Sequence, residues 1–173
     1  VALDGDKSER FKEIKEQLSV LSNQFSKNVL QSTNSWKKTV SANDLKGYGA
    51  DEFSKVKKGD HYEISLQVPV YIDLMTYADS SDLREEVYKA YISRASDIGI
   101  TSKEFNNRPI MDEILKLRSE MSELVGFSNY AEYSMQSKMV ESPDAVIEFL
   151  NSLIELSTPQ AKAELMDLES FAG

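Results

Sequence analysis

Six apolar residues, Phe11, Ile14, Leu18, Leu21, Phe25 and Val29, recur at alternating steps of three and four near the start of the chain. That spacing places them on one face of an α-helix. A helix over 7–35 would be about 43 Å long at 1.5 Å per residue. Helices of globular proteins draw most of their stability from packing one face against something else, so a chain that opens this way has to supply partners along the whole length. The requirement points to a mainly helical array. Asp6, with Glu9 three positions on, has the spacing of a capping box and predicts the helix start.

Beyond Trp36 the helical period breaks. Ser41-Ala42-Asn43-Asp44 and Gly47-Tyr48-Gly49 are rich in cap and turn formers, which leaves room only for short helical turns. Tyr62, Ile64, Leu66 and Val68 then alternate with polar residues, the period of a half-buried strand, and Pro69 ends the run. Its nearest available partner is 36–40, so one small antiparallel pair, 36–40 with 62–68, is expected among long amphipathic helices. The remainder reads as helix. Residues 79–82 supply caps before Leu83, Val87, Ala90 and Tyr91. Pro109 suits the first turn of a helix carrying Ile110, Ile114, Leu117, Met121 and Leu124 and closing at Gly126. Ser128 is placed to cap a short helix with Tyr130, Tyr133 and Met135. Ser142-Pro143 opens a last helix through Val146, Phe149, Leu150 and Leu153, which Pro159 should kink or divide.

The length of 173 residues suits one domain, and 40% hydrophobic with 28% charged residues is the composition of a folding chain. A net charge of −9 with scattered lysines argues against nucleic acid and against an anionic membrane surface, since both need clustered cations. No run approaches the roughly 20 apolar residues of a membrane helix, so a soluble, cytoplasmic protein is expected. The absence of cysteine rules out disulfides, a thiolate nucleophile and thiolate metal ligands.

Histidine and carboxylates leave acid–base chemistry open. His61, the single histidine, lies on a polar turn beside Asp60. It reads either as a proton shuttle or, more simply, as a solvated turn residue. The pairs Glu85-Glu86 and Asp112-Glu113 are adjacent on helices, where neighbours point about 100° apart and do not converge on a cation. They suit the electropositive N-terminal turns of helices. Tyr71, Tyr77, Tyr88, Tyr91, Tyr130 and Tyr133 suggest an aromatic recognition surface, or amphipathic core edges with one wet hydroxyl. Arg84, Arg94 and Arg118 suit a substrate carboxylate, or neighbouring acids on their own helices. No phosphate loop or nucleophile elbow is present. No catalytic, cofactor-binding or metal residue is assigned.

Several blocks resemble a known family. They are Phe25-Ser26-Lys27-Asn28-Val29-Leu30 with Trp36, Val68-Pro69-Val70-Tyr71, Met75-Thr76-Tyr77-Ala78-Asp79, and Leu83-Arg84-Glu85-Glu86-Val87-Tyr88-Lys89-Ala90-Tyr91 with Arg94-Ala95-Ser96-Asp97. Asn107-Arg108-Pro109-Ile110-Met111, Leu117-Arg118, Val125-Gly126-Phe127-Ser128-Asn129-Tyr130-Ala131 and Lys138-Met139-Val140 continue the series. In this order they are similar to the thimet oligopeptidase/oligopeptidase A family of zinc metallopeptidases. The resemblance implies a large two-lobed helical enzyme with a deep channel that admits short peptides. Its zinc is held by an H-E-x-x-H helix and a downstream glutamate, with the first glutamate activating water. That motif is absent here, and the resemblance places it beyond Gly173.

The expectation is therefore that residues 1–173 form a single helical segment of the channel-flanking lobe. The parent would be the zinc-dependent enzyme and short peptides its partners, with the zinc ligands outside this chain. The start at Val1 without methionine fits an excerpt of something longer. The rival expectation is a free-standing helical module that binds a partner helix or peptide. Self-association of the segment through uncovered faces is a third.

Overall fold

The computed structural model describes residues 3–49, 54–100 and 103–173. Helix α1 (Gly5–Ser35) has 31 residues, about 46 Å of axis. It begins ahead of the Asp6/Glu9 box. Ser8 N–H already donates to Asp4 O at 2.8 Å, so Asp6 is a first-turn residue. Its carboxylate complements the helix dipole there. The apolar row is turned inward as its spacing requires, with Ile14 fully buried and Phe11, Leu18, Leu21, Phe25 and Val29 half-buried.

Three strands follow: β1 (Lys37–Val40), β2 (Lys57–Lys58) and β3 (His61–Ser65). The order is β1-β3-β2 and both pairings are antiparallel. The expected pairing is present with Lys37 opposite Ser65 and Val40 opposite Tyr62. Two details differ from the sequence reading. The third strand is only two exposed lysines, too short to show an alternation. It exists because Gly59 takes φ +61° between Lys58 and its partner His61, as a type II′ hairpin requires. The long strand also stops at Ser65, three residues short of Val68, because Val68-Pro69 opens a helix instead. Proline is well placed in a first turn, where its missing N–H has no partner to lose.

Helix α2 (Val68–Tyr77) then packs on β3 and α3 (Ser81–Ile92) packs on α2, both contributing to one core. Ser80 caps α3 by accepting from Leu83 N–H. A 3-10 turn (Lys103–Phe105) leads to α4 (Arg108–Leu124). The end of α4 is a Schellman closure: Gly126 at φ +86° donates to Glu123 O and Phe127 N–H to Ser122 O. Asn129, and not Ser128, caps α5 (Tyr130–Met135), its side chain accepting from Glu132 N–H. Both residue types cap well, and Ser128 N–H is taken by the Glu132 carboxylate. Helix α6 (Pro143–Ala172) is capped by Ser142 and runs unbroken through Pro159. Within thirty residues the loss of one amide donor is a local cost, not a terminus.

The chain is mainly α with a small antiparallel sheet. It divides into two compact units, Glu13–Leu115 on one side and Val1–Lys12 with Lys116–Gly173 on the other. The first holds the core: Val40, Leu45, Tyr48, Val56, Ile64, Leu66, Leu74, Leu83 and Val87, with Trp36, Tyr71 and Tyr91 against it. The second buries Leu117 and Met121.

Gly47 ties the turn after β1 to the end of α2. Its φ is +84°, and a Cβ there would lie 2.1 Å from Tyr77 O and 2.6 Å from Asp79 Oδ1. Gly47→Ala should therefore cost well over about 1 kcal/mol, read as a fall in the urea midpoint. Gly59→Ala, with positive φ but nothing within 4 Å, should cost distinctly less. Equal effects would show that the close approach to Tyr77 O is unimportant.

Candidate functional site

The most constrained cluster in the first unit is a buried polar seam. Gln24 Nε2 donates to Asn28 Oδ1 at 2.7 Å, and Asn28 Nδ2 to Asn107 Oδ1 at 2.9 Å. Asn107 Nδ2 in turn donates to Phe25 O at 3.1 Å. Ala95 N–H donates to Ser32 Oγ at 3.0 Å, and Asn107 N–H to Ala95 O at 2.9 Å. Asn28, Ser32 and Asn107 are all buried. Between these bonds Ala95 is held at φ +52°, a left-handed conformation that costs a residue with a Cβ about 1–2 kcal/mol. Each buried side chain of the seam is hydrogen-bonded, which is the pattern of a structural cluster.

Beside it, Tyr71 and Tyr91 stack with centroids 3.8 Å apart and planes 11° apart. The Arg94 guanidinium lies 3.4 Å from the Tyr91 centroid. A ring has two faces, so Tyr91 is sandwiched. Arg94 Nε and Nη1 are buried without a hydrogen-bond acceptor, and the electron-rich ring face supplies the compensating attraction. Burial holds the Tyr71 phenol above its ordinary pKa, with Tyr88 and Tyr91 adding to this and Arg94 opposing it. Tyr77 and Tyr88 project into solvent.

In the second unit Tyr133 is tilted against both Phe127 and Tyr130, at 5.8 and 5.9 Å. Arg118 lies 4.8 Å over Tyr130. Tyr71, Tyr91, Tyr130 and Tyr133 thus serve as half-buried packing groups. The arginines depart from the expected acid pairing. Arg84 donates to Ala78 O at the end of α2, where a cation suits the helix C-terminus, while Arg94 and Arg118 use aromatic faces.

The carboxylate pairs do not converge. Glu85 pairs with Lys89, Glu86 with Lys38, and Asp112 with Arg108 at 3.6 Å. Hydrogen bonding to Lys89 holds Glu85 below its ordinary pKa. His61 is exposed at the first position of β3. A depression of about 420 Å³ at the end of α3 is lined by Lys89, Ile92, Ser96, Asp97, Ile98 and Ile100. Its two charged side chains are engaged elsewhere, Lys89 with Glu85 and Asp97 with Arg108. Among the described residues no three His, Asp or Glu side chains are grouped to hold a metal ion. With one imidazole and no thiol, the donors of this chain do not fit a zinc site.

With that geometry in view, the comparisons are specific. The model of peptidase family M3 matches residues 74–173. The chain belongs to peptidase family M3. Oligopeptidase A of Salmonella typhimurium is 40% identical over 99% of this chain, which spans 26% of that protein. The probable cytosolic oligopeptidase A of Arabidopsis thaliana is 39% identical over 99% of the chain, again 26% of its own length. Saccharolysin of Saccharomyces cerevisiae is 28% identical over 98% of the chain, 23% of its length. The chain thus spans about a quarter of the relatives it matches. Among the described residues no helix is long and apolar enough to cross a membrane.

Sequence reading missed the seam, because asparagine and serine on a helix are ordinarily solvent-facing. A signal was present: Asn28 and Ser32 continue the inward row of α1 at helical spacing. Asn107→Ala should cost about 1–3 kcal/mol by stranding buried partners, more than Asn106→Ala, as read by chemical denaturation. Equal losses would remove the seam's special role. In the second unit, Arg10 grips Glu120 with two bonds, Nε to Oε1 at 2.6 Å and Nη2 to Oε2 at 2.9 Å. The bond from Arg10 holds the Glu120 carboxyl below its ordinary 4.5. A depressed folded pKa stabilises above the unfolded value and is lost as pH falls through the folded one. Glu120→Gln should therefore lower stability slightly at pH 7, and the gap to wild type should shrink as pH drops below about 4.5. A gap unchanged from pH 7 to 3 would contradict the assignment.

Proposed function

We propose that the chain is a non-catalytic helical segment of a zinc-dependent oligopeptidase that hydrolyses short peptides in the cytoplasm. Within that enzyme it forms part of the lobe flanking the substrate channel. The observation that carries this reading is the combination of 40% identity with an oligopeptidase A along 99% of the chain and coverage of only 26% of that protein. One histidine and no cysteine are consistent with zinc ligands that lie outside this chain. Zinc, bound by residues outside this chain, would supply the activated water of peptide hydrolysis.

The residues present do mechanical work in this reading. The seam of Asn28, Ser32 and Asn107 and the closed core of the first unit give a rigid support on which a channel wall can be built. A rigid wall excludes folded proteins by size and admits extended peptides. Exposed apolar side chains along α6 favour one alternative, a helical module that binds a partner helix or peptide.

The test compares the full-length gene product with the isolated 173-residue chain. The full-length protein should bind one zinc per molecule and cleave short peptides in a chelator-sensitive way, and the isolated chain should do neither. Chelator-sensitive cleavage by the isolated chain would overturn the reading. A reading frame ending near Gly173 would favour the module instead.

A further inference from the structure

Helix α6 buries none of its residues, yet its first half is as apolar as an interior helix. Ile147, Phe149, Leu150, Leu153, Ile154 and Leu156 are each 45–79% exposed. At 100° per residue these six, with Ala145 and Val146, spread over an arc of about 200°. Asp144, Glu148, Asn151 and Glu155 share the narrow remainder. Past Pro159 the face is broken: Leu165, Leu168 and Phe171 span about 120° with Glu164 among them, and Met166 stands about 100° outside that arc. One neighbouring element covers a stripe of roughly 100°, so the first half needs apolar neighbours on two sides.

We infer that the 145–156 face of α6 is an internal interface of the parent enzyme, enclosed on two sides by polypeptide outside these 173 residues. This deepens the segment reading above and rests on it. A second copy of the chain, docking across a two-fold axis, would cover one side of the arc and leave the other wet. The relatives instead carry about three quarters of their length outside the matched region, ample for both flanks. The acidic strip at Glu148 and Glu155 is then the part of this half that reaches solvent.

The test uses the full-length protein. Leu153→Cys and Ile147→Cys, from different parts of the arc, are compared with Glu148→Cys on the strip for the rate of maleimide labelling under native conditions. Both arc variants should label at least tenfold more slowly than the strip variant, and equal rates would overturn the inference. Protection that disappears on dilution would point to a second copy and overturn it as well. A photoreactive Leu150→benzoylphenylalanine variant should cross-link within its own polypeptide to residues outside 1–173; cross-links confined to residues 3–142 would also sink the inference. Zinc content and peptide cleavage measured on the same preparation report on the parent's activity separately, so either reading can fail alone.

Discussion

A buried side-chain amide brings donors and acceptors into a place where water cannot serve them, and each one left empty costs about 1–3 kcal/mol. At the seam between α1 and the 95–107 segment that cost becomes a source of specificity. An apolar face tolerates small rotations and slips, because one methyl contact replaces another. Asn28 and Asn107 do not, since rotating α1 by one residue swings Asn28 about 100° away from its partner. The seam thereby sets the rotation of α1 against the rest of the first unit. Further geometry depends on it. Asn107 O accepts from Met111 N–H in the first turn of α4, so the residue that bonds α1 also starts α4. Ala95 keeps its left-handed backbone because hydrogen bonds hold it on both sides.

The parts of the fold that follow a period were legible. The three-four row of α1, the alternation around Ile64 and the caps at Ser80 and Ser142 each reflect one local rule, and each is present. What escaped was set by tertiary context. Residue type does not mark Asn28 as interior; only its place in the three-four row of α1 does, and polarity masks that row where it reaches Asn28 and Ser32. The strand of Lys57 and Lys58 exists only because a glycine turn returns it to a strand already placed. Pro159 does not divide its helix: a proline ends a helix when the local loss decides the matter, and in a long helix one missing donor does not.

For the candidate site, residue types alone allowed more chemistry than the arrangement does. Glu85 and Glu86 were open to reading as ligands until their lysine partners were placed, Lys89 on the same helix and Lys38 on β1. The arginines show the converse. Their sequence neighbours suggested acids, but Arg94 and Arg118 settle on rings, because a flat, weakly hydrated cation stacks at lower desolvation cost than an ammonium would. At these positions the charged groups are engaged with cations or rings of the same chain.

The unevenness between the units bears on that role. The first unit closes a core with its own sheet and helices, whereas α6 in the second leaves its apolar arc uncovered. An average composition conceals this: 40% hydrophobic residues is ordinary for a self-sufficient domain, but here a large share is committed to a helix that buries none of it. Hydrophobic stabilisation scales with area removed from water, so that arc contributes little until neighbours arrive. The first unit thus has a buried core of its own, while the apolar face of α6 would gain most from being covered. The two kinds of surface follow one rule: apolar area stabilises a fold only in proportion to what is removed from water, which the first unit achieves within itself and α6 does not.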